Sequence, residues 1–498
     1  MRKKRSLRNI LLGRLDEPWG KKPLPQFLGL LILLGPGIVW AGFAQGSGEL
    51  IWWPYVVAKY GLHFVGWLFI IASLQYWINL EIGRYTLATG ETIFEGFHRL
   101  HHLFGWIMFL FVLIVPIWIG GYASGGATAL AYLTKFPPGW SHVDRTRFWA
   151  EIIIILVLII IILGPIIYKI IEGIEAVAAL ASFFGLLLVA LLSPVVRSAT
   201  PSYFSALFHP NWPLIPPDFD YEKDMEILIT LIAYTGLGGI WNLLYSFWIR
   251  EKNAGMAKYI GRITSPITGK PEPIPGIGYA FEYSTENKRE WSKWMQWLCI
   301  DNAIGIILNT LTIILTTLLS FAILYPRGLV PEKFELVIVQ AEWLGHLWGD
   351  LGRALLLLLA LFFLIDSYLI CLDGASRMLV SNLYSNIPKI RKVGYRTMYY
   401  IAVTIFTCIA MTQVLLQPPD ILIILTGVIN LFAMTLYGLA LIVLNWYWLP
   451  KNHPAGAMIK PSKLTLAFLI IVVAIYWYIF YVLYAPIALR KIASLFKL

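Results

Sequence analysis

Charge is scarce in this chain. Only 13% of its 498 residues are Asp, Glu, Lys or Arg, and 58% are hydrophobic, where a soluble globular protein carries about 25% charge. A water-soluble domain of this size is excluded. Cysteine is scarcer still: Cys299, Cys371 and Cys408 all sit inside apolar runs, so there is neither a disulfide framework nor a spaced thiolate site for metal. A phosphate-cradling GxxxxGK[ST] loop is also missing, which disfavours ATP-driven pumping by this chain alone. The charge that is present leans basic, with 39 Lys+Arg against 28 Asp+Glu. The start, MRKKRSLRNILLGR, resembles a signal-peptide n-region, but the apolar stretch after it is long and lacks a small-residue cleavage site, so it is read as retained.

A helix needs about 20 mostly apolar residues to cross the hydrocarbon core. Eleven segments qualify, at approximately 26–57, 62–83, 105–133, 149–168, 173–195, 226–248, 295–325, 352–375, 396–417, 419–448 and 463–486; they are numbered spans 1 to 11 below. Continuously apolar runs such as Glu151 to Gly164 exclude a β-barrel, whose strands alternate. With the N-terminus on the cytoplasmic side, more than twice as many Lys and Arg fall in inside segments as in outside ones. That bias predicts a cytoplasmic N-terminus and an external C-terminus in the plasma or inner membrane. It also explains the net charge, so nucleic acid is not an expected partner.

Spans 1 and 6 carry glycine in mid-helix, where each costs about 1 kcal/mol against Ala. Gly46, Ser47 and Gly48 in GSGELIW, and Gly236, Gly238 and Gly239 in GLGGIW, are predicted to unwind the backbone. Non-helical backbone at membrane depth is tolerated only inside protein or along a cavity. Similar interruptions five spans apart point to an inverted-repeat secondary transporter that binds its substrate at the breaks. The expected division is a cytoplasmic tail (1–25), a first repeat (26–195), a second repeat (226–448) with a cytoplasmic loop at 250–293, and a peripheral span 11 (463–486). The loop, with SPITGKPEPIPGIG at its centre, reads as a solvated linker. In HRLHH, His98 and His102 stand four apart, but no local carboxylate or Cys completes a metal site.

The stretches GPGIVWAGFAQGSGE, EIGRYTLATGETIFEGF, KIIEGIEAV and CIDNAIGIILN together resemble the Nramp (natural resistance-associated macrophage protein) divalent-metal transporters over nearly the whole chain. The resemblance implies an all-α polytopic membrane protein with the leucine-transporter-like fold of the amino acid, polyamine and organocation superfamily. It implies eleven transmembrane helices in a 5+5 inverted repeat, and alternating access in which spans 1 and 6 move against spans 3, 4, 8 and 9. It also exposes departures. The family's DPGN, whose Asp and Asn bind metal, falls on Gly46, Ser47, Gly48 and Glu49. Its MPH falls on Ile240, Trp241 and Asn242, and its span 3 acids have no counterpart between Leu103 and Thr134. Without a soft sulfur donor, selection of a transition metal loses its basis. Glu49 with backbone carbonyls suits a harder cation.

A charged side chain at a helix centre costs about 2.5–3.5 kcal/mol, so each intramembrane charge needs a reason. Glu49 is the first candidate for substrate, coupling-ion or metal contact, and Asn242 and Trp241 are candidate lining residues, with Trp52 and Trp53 nearby. In the fold implied by the resemblance, Asp366, with Ser367 beside it, lies near a coupling-cation position. Asp373 and Arg377, four apart, and Glu81 and Arg84, three apart, read as ion pairs or gates. Asp301, with Asn302, sits about two turns into span 7 and is placed at the inner vestibule. The expected activity is non-enzymatic: transport of a cation with the usual transition-metal site lost. The alternatives are transport of a small organic solute or anion, such as an amino acid or bicarbonate, and a non-transporting receptor or scaffold. No cofactor is called for. The expected partners are the lipid bilayer, a small ionic or polar substrate and a coupling ion, with the chain acting as a monomer.

Overall fold

Nine helices among the described residues are long and apolar enough to cross a membrane: Val65–Thr89, His102–Thr134, His142–Leu163, Ile171–Leu192, Thr285–Arg327, Val339–Asn386, Tyr395–Val414, Pro419–Asn452 and Lys463–Lys491. They correspond to spans 2–5 and 7–11. Span 6 is not among them because it is interrupted, and span 1, helical over 36–60, because its QGSGE centre makes it too polar. The structure, a computed structural model, describes residues 17–30, 34–164, 167–267, 269–270, 272–331, 335 and 337–495. Most of the expected tail, residues 1–16, therefore lies outside the described residues.

Burial sorts the spans into inner and outer. Spans 2, 7, 8 and 10 bury 61–67% of their most apolar window inside the protein, whereas spans 4, 5 and 11 bury 28–39%. A helix that turns most of its apolar surface outward needs lipid to cover it, which places span 11 at the periphery. A helix not anticipated from the sequence, Pro194–Phe208, precedes span 6. It starts at Ser193, whose hydroxyl accepts from the Val196 amide, an N-cap of the usual kind.

The two interruptions differ in kind. Span 6 unwinds between the helices Met225–Ala233 and Gly239–Asn242 and resumes at Tyr245–Glu251. The corner depends on positive φ at Gly236 (113°), Gly238 (67°) and Gly239 (55°), a region that side chains with a Cβ rarely adopt. Neighbouring side chains meet the freed backbone groups. Gln75 Nε2 donates to the Ala233 carbonyl at 2.9 Å, and Asn430 Oδ1 accepts from the Ile240 amide at 3.0 Å.

The unwinding expected at Gly46–Gly48 is corrected by the structure. Span 1 stays helical from Pro36–Ala44 through Gln45–Trp52 to Trp53–Tyr60, and the middle section is a widened π-helix. A π-turn keeps its backbone hydrogen bonds by reaching one residue further, and such turns concentrate at functional positions. The glycines serve close approach here: a Cβ on Gly48 would lie 1.8 Å from the Tyr234 carbonyl oxygen.

On the face that carries the N-terminus, Gly20–Lys21 pairs in parallel with Tyr279–Ala280. This ties the start of the chain to the 250–293 loop. Trp294 Nε1 donates to the Pro25 carbonyl, and Glu290 accepts from the Phe27 amide. The loop is thus partly ordered against the N-terminal segment.

Candidate functional site

Glu49 lies in the π-helical turn and is buried, 1% exposed. Its carboxylate faces the Asn309 side chain of span 7 and the Gly236 amide at the span 6 corner. None of these contacts reaches full hydrogen-bond geometry, and both carboxylate oxygens and both polar atoms of the Asn309 amide are left without partners. Unpaired buried polar groups are rare in native proteins and call for an explanation. Beside Glu49 is a cavity of about 10 Å³, lined in part by Gln45, Ser182, Thr312 and Thr316, close to the space one water needs. Ser182 donates to Gln45 Oε1 at 2.6 Å, and Gln45 Nε2 donates to Thr312 at 3.1 Å. Leu50, Leu186, Leu356, Leu359, Ala360 and Phe363 complete the lining, so the space beside Glu49 is faced largely by apolar groups and holds no thioether or imidazole. Among the described residues no group of three or more His, Cys, Asp and Glu converges.

The other candidates at the breaks are placed differently. The side chain of Ser47 lies outside the described residues. Gly46 packs against span 8, where a Cβ would meet Ser367 Oγ at 1.8 Å. Asn242 is tied to span 1: its Oδ1 accepts from Trp40 Nε1 at 3.2 Å, and its buried Nδ2 has no partner among the described residues. Trp241 packs edge-on against Phe43, and Trp53 donates to Thr235. The amide that faces the Glu49 carboxylate is that of Asn309.

A second cluster lies nearer the N-terminal face, between span 1 and the same spans 5 and 8 that line the Glu49 cavity. Asp366 on span 8 is 3% exposed, and Glu175 on span 5 is fully buried. The two carboxyl groups are within hydrogen-bonding reach of each other. Asp366 Oδ1, both oxygens of Glu175 and Ser367 Oγ have no donor among the neighbouring groups. The Glu175 carboxylate rests on span 1, with Oε2 1.7 Å from where a Cβ on Gly42 would be. Two unit charges about 4 Å apart repel by roughly 4 kcal/mol at an effective dielectric of 20. That adds to the burial cost of each.

Ionic networks lie at both ends of the bundle. Toward the N-terminal face, Arg377 Nε lies 2.7 Å from Asp373, and its Nη1 donates to Glu251. Tyr399 donates to the same Asp373. Arg84 Nε lies 3.0 Å from Glu81, which also accepts from Asn445 at 2.9 Å. Lys252 and Glu172 meet at 2.6 Å. Asp301 is engaged as a cap for span 1 and does not open onto a vestibule: it accepts from the amides of Gly35 and Gly37 and from the Tyr245 hydroxyl at 2.8 Å. At the opposite face Asp224 accepts from Lys59, Tyr55 and Tyr60. The central clusters are buried from both directions.

No protein-family profile matches the chain. The uncharacterized protein PM0681 of Pasteurella multocida (strain Pm70) is 32% identical over 149 residues, 30% of this chain and 33% of that protein. The match thus spans about a third of that relative's length. Similarity of shape is far more extensive. Crystal structures of two mutants of the Eremococcus coleocola manganese transporter superpose with TM-scores of 0.67 and 0.64, covering 97% of this chain and 92% of theirs, at 14% and 13% identity. MhsT in complex with L-phenylalanine superposes with a TM-score of 0.54, covering 92% of this chain and 98% of its own, at 15% identity. The chain has an Nramp-like fold. Within it, the nine long helices together with spans 1 and 6 make up the eleven-span leucine-transporter-like arrangement, in an integral membrane protein.

Asn309 and Glu175 were not singled out in the sequence, although both lie in the stretches that carry the resemblance. Asn309 ends CIDNAIGIILN, and Glu175 is the second acid of KIIEGIEAV. Asn309 is an uncharged amide within an apolar span, and Glu175 an acid at the third residue of span 5, so the signal for each was weak.

Proposed function

We propose that this protein is a secondary active transporter working by alternating access, with a small, hard cation as substrate. The observation that carries the reading is the buried meeting of Glu49, Asn309 and the span 6 corner, whose polar groups lack full hydrogen bonds. A cation with oxygen ligands would engage the Glu49 carboxylate, the Asn309 amide oxygen and backbone carbonyls freed at the span 6 corner. A soft transition metal finds no sulfur there, in contrast to what the family's own signature provides. A carboxylate in the middle of the site disfavours an organic anion.

In this reading the division into repeats at 26–195 and 226–448 holds, with the N-terminus cytoplasmic. The Arg377, Asp373 and Glu251 network acts as the inner closure and the Asp224 cluster as the outer one. Spans 1 and 6 move between them against spans 3, 4, 8 and 9. The test is uptake into liposomes containing the purified protein, offered Mg, Ca, Mn, Na, bicarbonate or amino acids, beside Glu49→Gln. Saturable cation uptake that drops at least tenfold in Glu49→Gln supports the proposal. Uptake of bicarbonate or amino acids that survives Glu49→Gln, with no cation moved, rejects it.

A further inference from the structure

The Glu175 and Asp366 pair has no part in the substrate site described above. It faces Gly42 and lies beside Ser367, nearer the N-terminal face than the residues of the same spans 5 and 8 that line the Glu49 cavity. Both side chains are at least 97% buried, and no Lys or Arg pairs with either among the described residues. Span 1 meets Glu175 at Gly42, which has no side chain to offer it. Span 8 adds the Cys371 thiol, close enough to Asp366 to feel its charge, and the unpartnered hydroxyl of Ser367. Span 5 adds Glu172, one turn nearer the N-terminal face, where Lys252 holds it at 2.6 Å. Tyr168 lies beyond it.

Two neighbouring buried carboxylates with no counter-charge among the described residues cannot both be ionised without a bound positive charge. The smallest such charge is a proton held between facing oxygens, as in other like-charged carboxyl pairs. A metal ion needs several further oxygen ligands, whereas one side of this pair is already closed by the span 1 backbone.

We propose that Glu175 and Asp366 form a carboxyl pair that holds one proton between them and exchanges it during the transport cycle, making H⁺ the coupling ion. Loading adds one proton from the aqueous phase, so that one carboxylate becomes an acid whose O–H donates to the other. Release returns that proton past Glu172, which is about a quarter exposed and marks the way out. Movement of span 1 away from spans 5 and 8 would uncover the pair, linking its protonation to the position of the Glu49 turn. The coupling role rests on the transport reading; the proton itself does not.

Infrared spectroscopy of the full-length protein separates the two, with all samples in a Glu49→Gln background to remove that residue's own signal. A buried carboxylic-acid C=O band is expected at neutral pH. It should shift in frequency in Glu175→Gln and in Asp366→Asn, and vanish in the double variant. A band that survives in the double variant, or is abolished by NaCl at constant pH, overturns the proposal. So does a band of two protons' intensity that halves in each single variant. In liposomes with native Glu49, the ratio of substrate uptake with and without an inward pH gradient should exceed one, and should fall to one in the double variant. An unchanged ratio rejects the coupling role. The infrared result with no substrate transported by any sample would leave the proton site standing and sink the transport reading instead.

Discussion

Asp301 on span 7 accepts hydrogen bonds from the backbone amides of Gly35, at 3.1 Å, and Gly37, at 2.7 Å, where span 1 begins. The first turn of a helix has no internal partners for its N–H groups, and inside a membrane protein no water supplies them. This carboxylate therefore fixes the end of span 1 to span 7. Asp301→Ala should lower stability by roughly 2–4 kcal/mol, and Asp301→Asn by less, since its amide oxygen can still accept one bond. Thermal unfolding in detergent checks both. Equal melting temperatures for wild type and Asp301→Ala would show that the contact is not stabilising.

Glycines 46 and 48 meet different obstacles. A Cβ on Gly48 would strike the Tyr234 main-chain carbonyl, and one on Gly46 would strike the Ser367 hydroxyl, with Ser367 Cβ 3.0 Å away. Gly46→Ala should therefore be partly rescued by Ser367→Ala, with a coupling of about 1 kcal/mol in a double-mutant cycle. Gly48→Ala should show no such rescue. Folding yield and melting temperature of the four variants measure it.

Arg377 neutralises Asp373 and Glu251 where all three are at most 4% exposed. Arg377→Met leaves two uncompensated carboxylates and should cost about 3–5 kcal/mol. Adding Asp373→Asn and Glu251→Gln should recover most of that loss, because replacing a whole buried ionic cluster is far milder than removing one member. If the triple variant is no more stable than Arg377→Met, the assignment of the loss to charge is wrong.

His98, outside the spans, is buried beside His102, and its Nε2 donates to Asn382 Oδ1 at 3.1 Å. Burial, and secondly the neighbouring His102, lower its pKa to about 3, against about 6.5 in an unfolded chain. Between those values the unfolded chain binds a proton that the folded protein does not. Stability must therefore fall as pH falls below 6.5. At pH 5 the loss from this residue should be roughly 2 kcal/mol. The acid slope of melting temperature between pH 7 and 5 should be shallower in His98→Gln.

Much of the architecture was legible because lipid imposes long apolar runs, and because mid-span glycine is costly enough to stand out. The form of each break was not legible. Whether glycines open a corner or permit a wide turn depends on which groups take up the freed amides and carbonyls. Gln75 and Asn430 do so for span 6 from spans 2 and 10, far away in sequence. Glu49 and Asp366 announced themselves as acids in apolar surroundings. Glu175 did not, because a second acid near a helix end reads as interfacial until the fold sets it against Asp366. Asn309 carries no charge, and only its position opposite Glu49 gives it significance.

The two interruptions also differ in mechanical compliance. A π-helical turn can return to α-helix by exchanging one carbonyl acceptor for the next, with no amide left bare at any stage. The span 6 corner is clamped by side chains from two other spans and by three glycine conformations, so altering it means breaking bonds that lipid cannot replace. Span 1 is thus the pliant element and span 6 the stiff one. The pseudo-symmetric halves of this fold would then move unequally, with most of the displacement on the helix that carries Glu49.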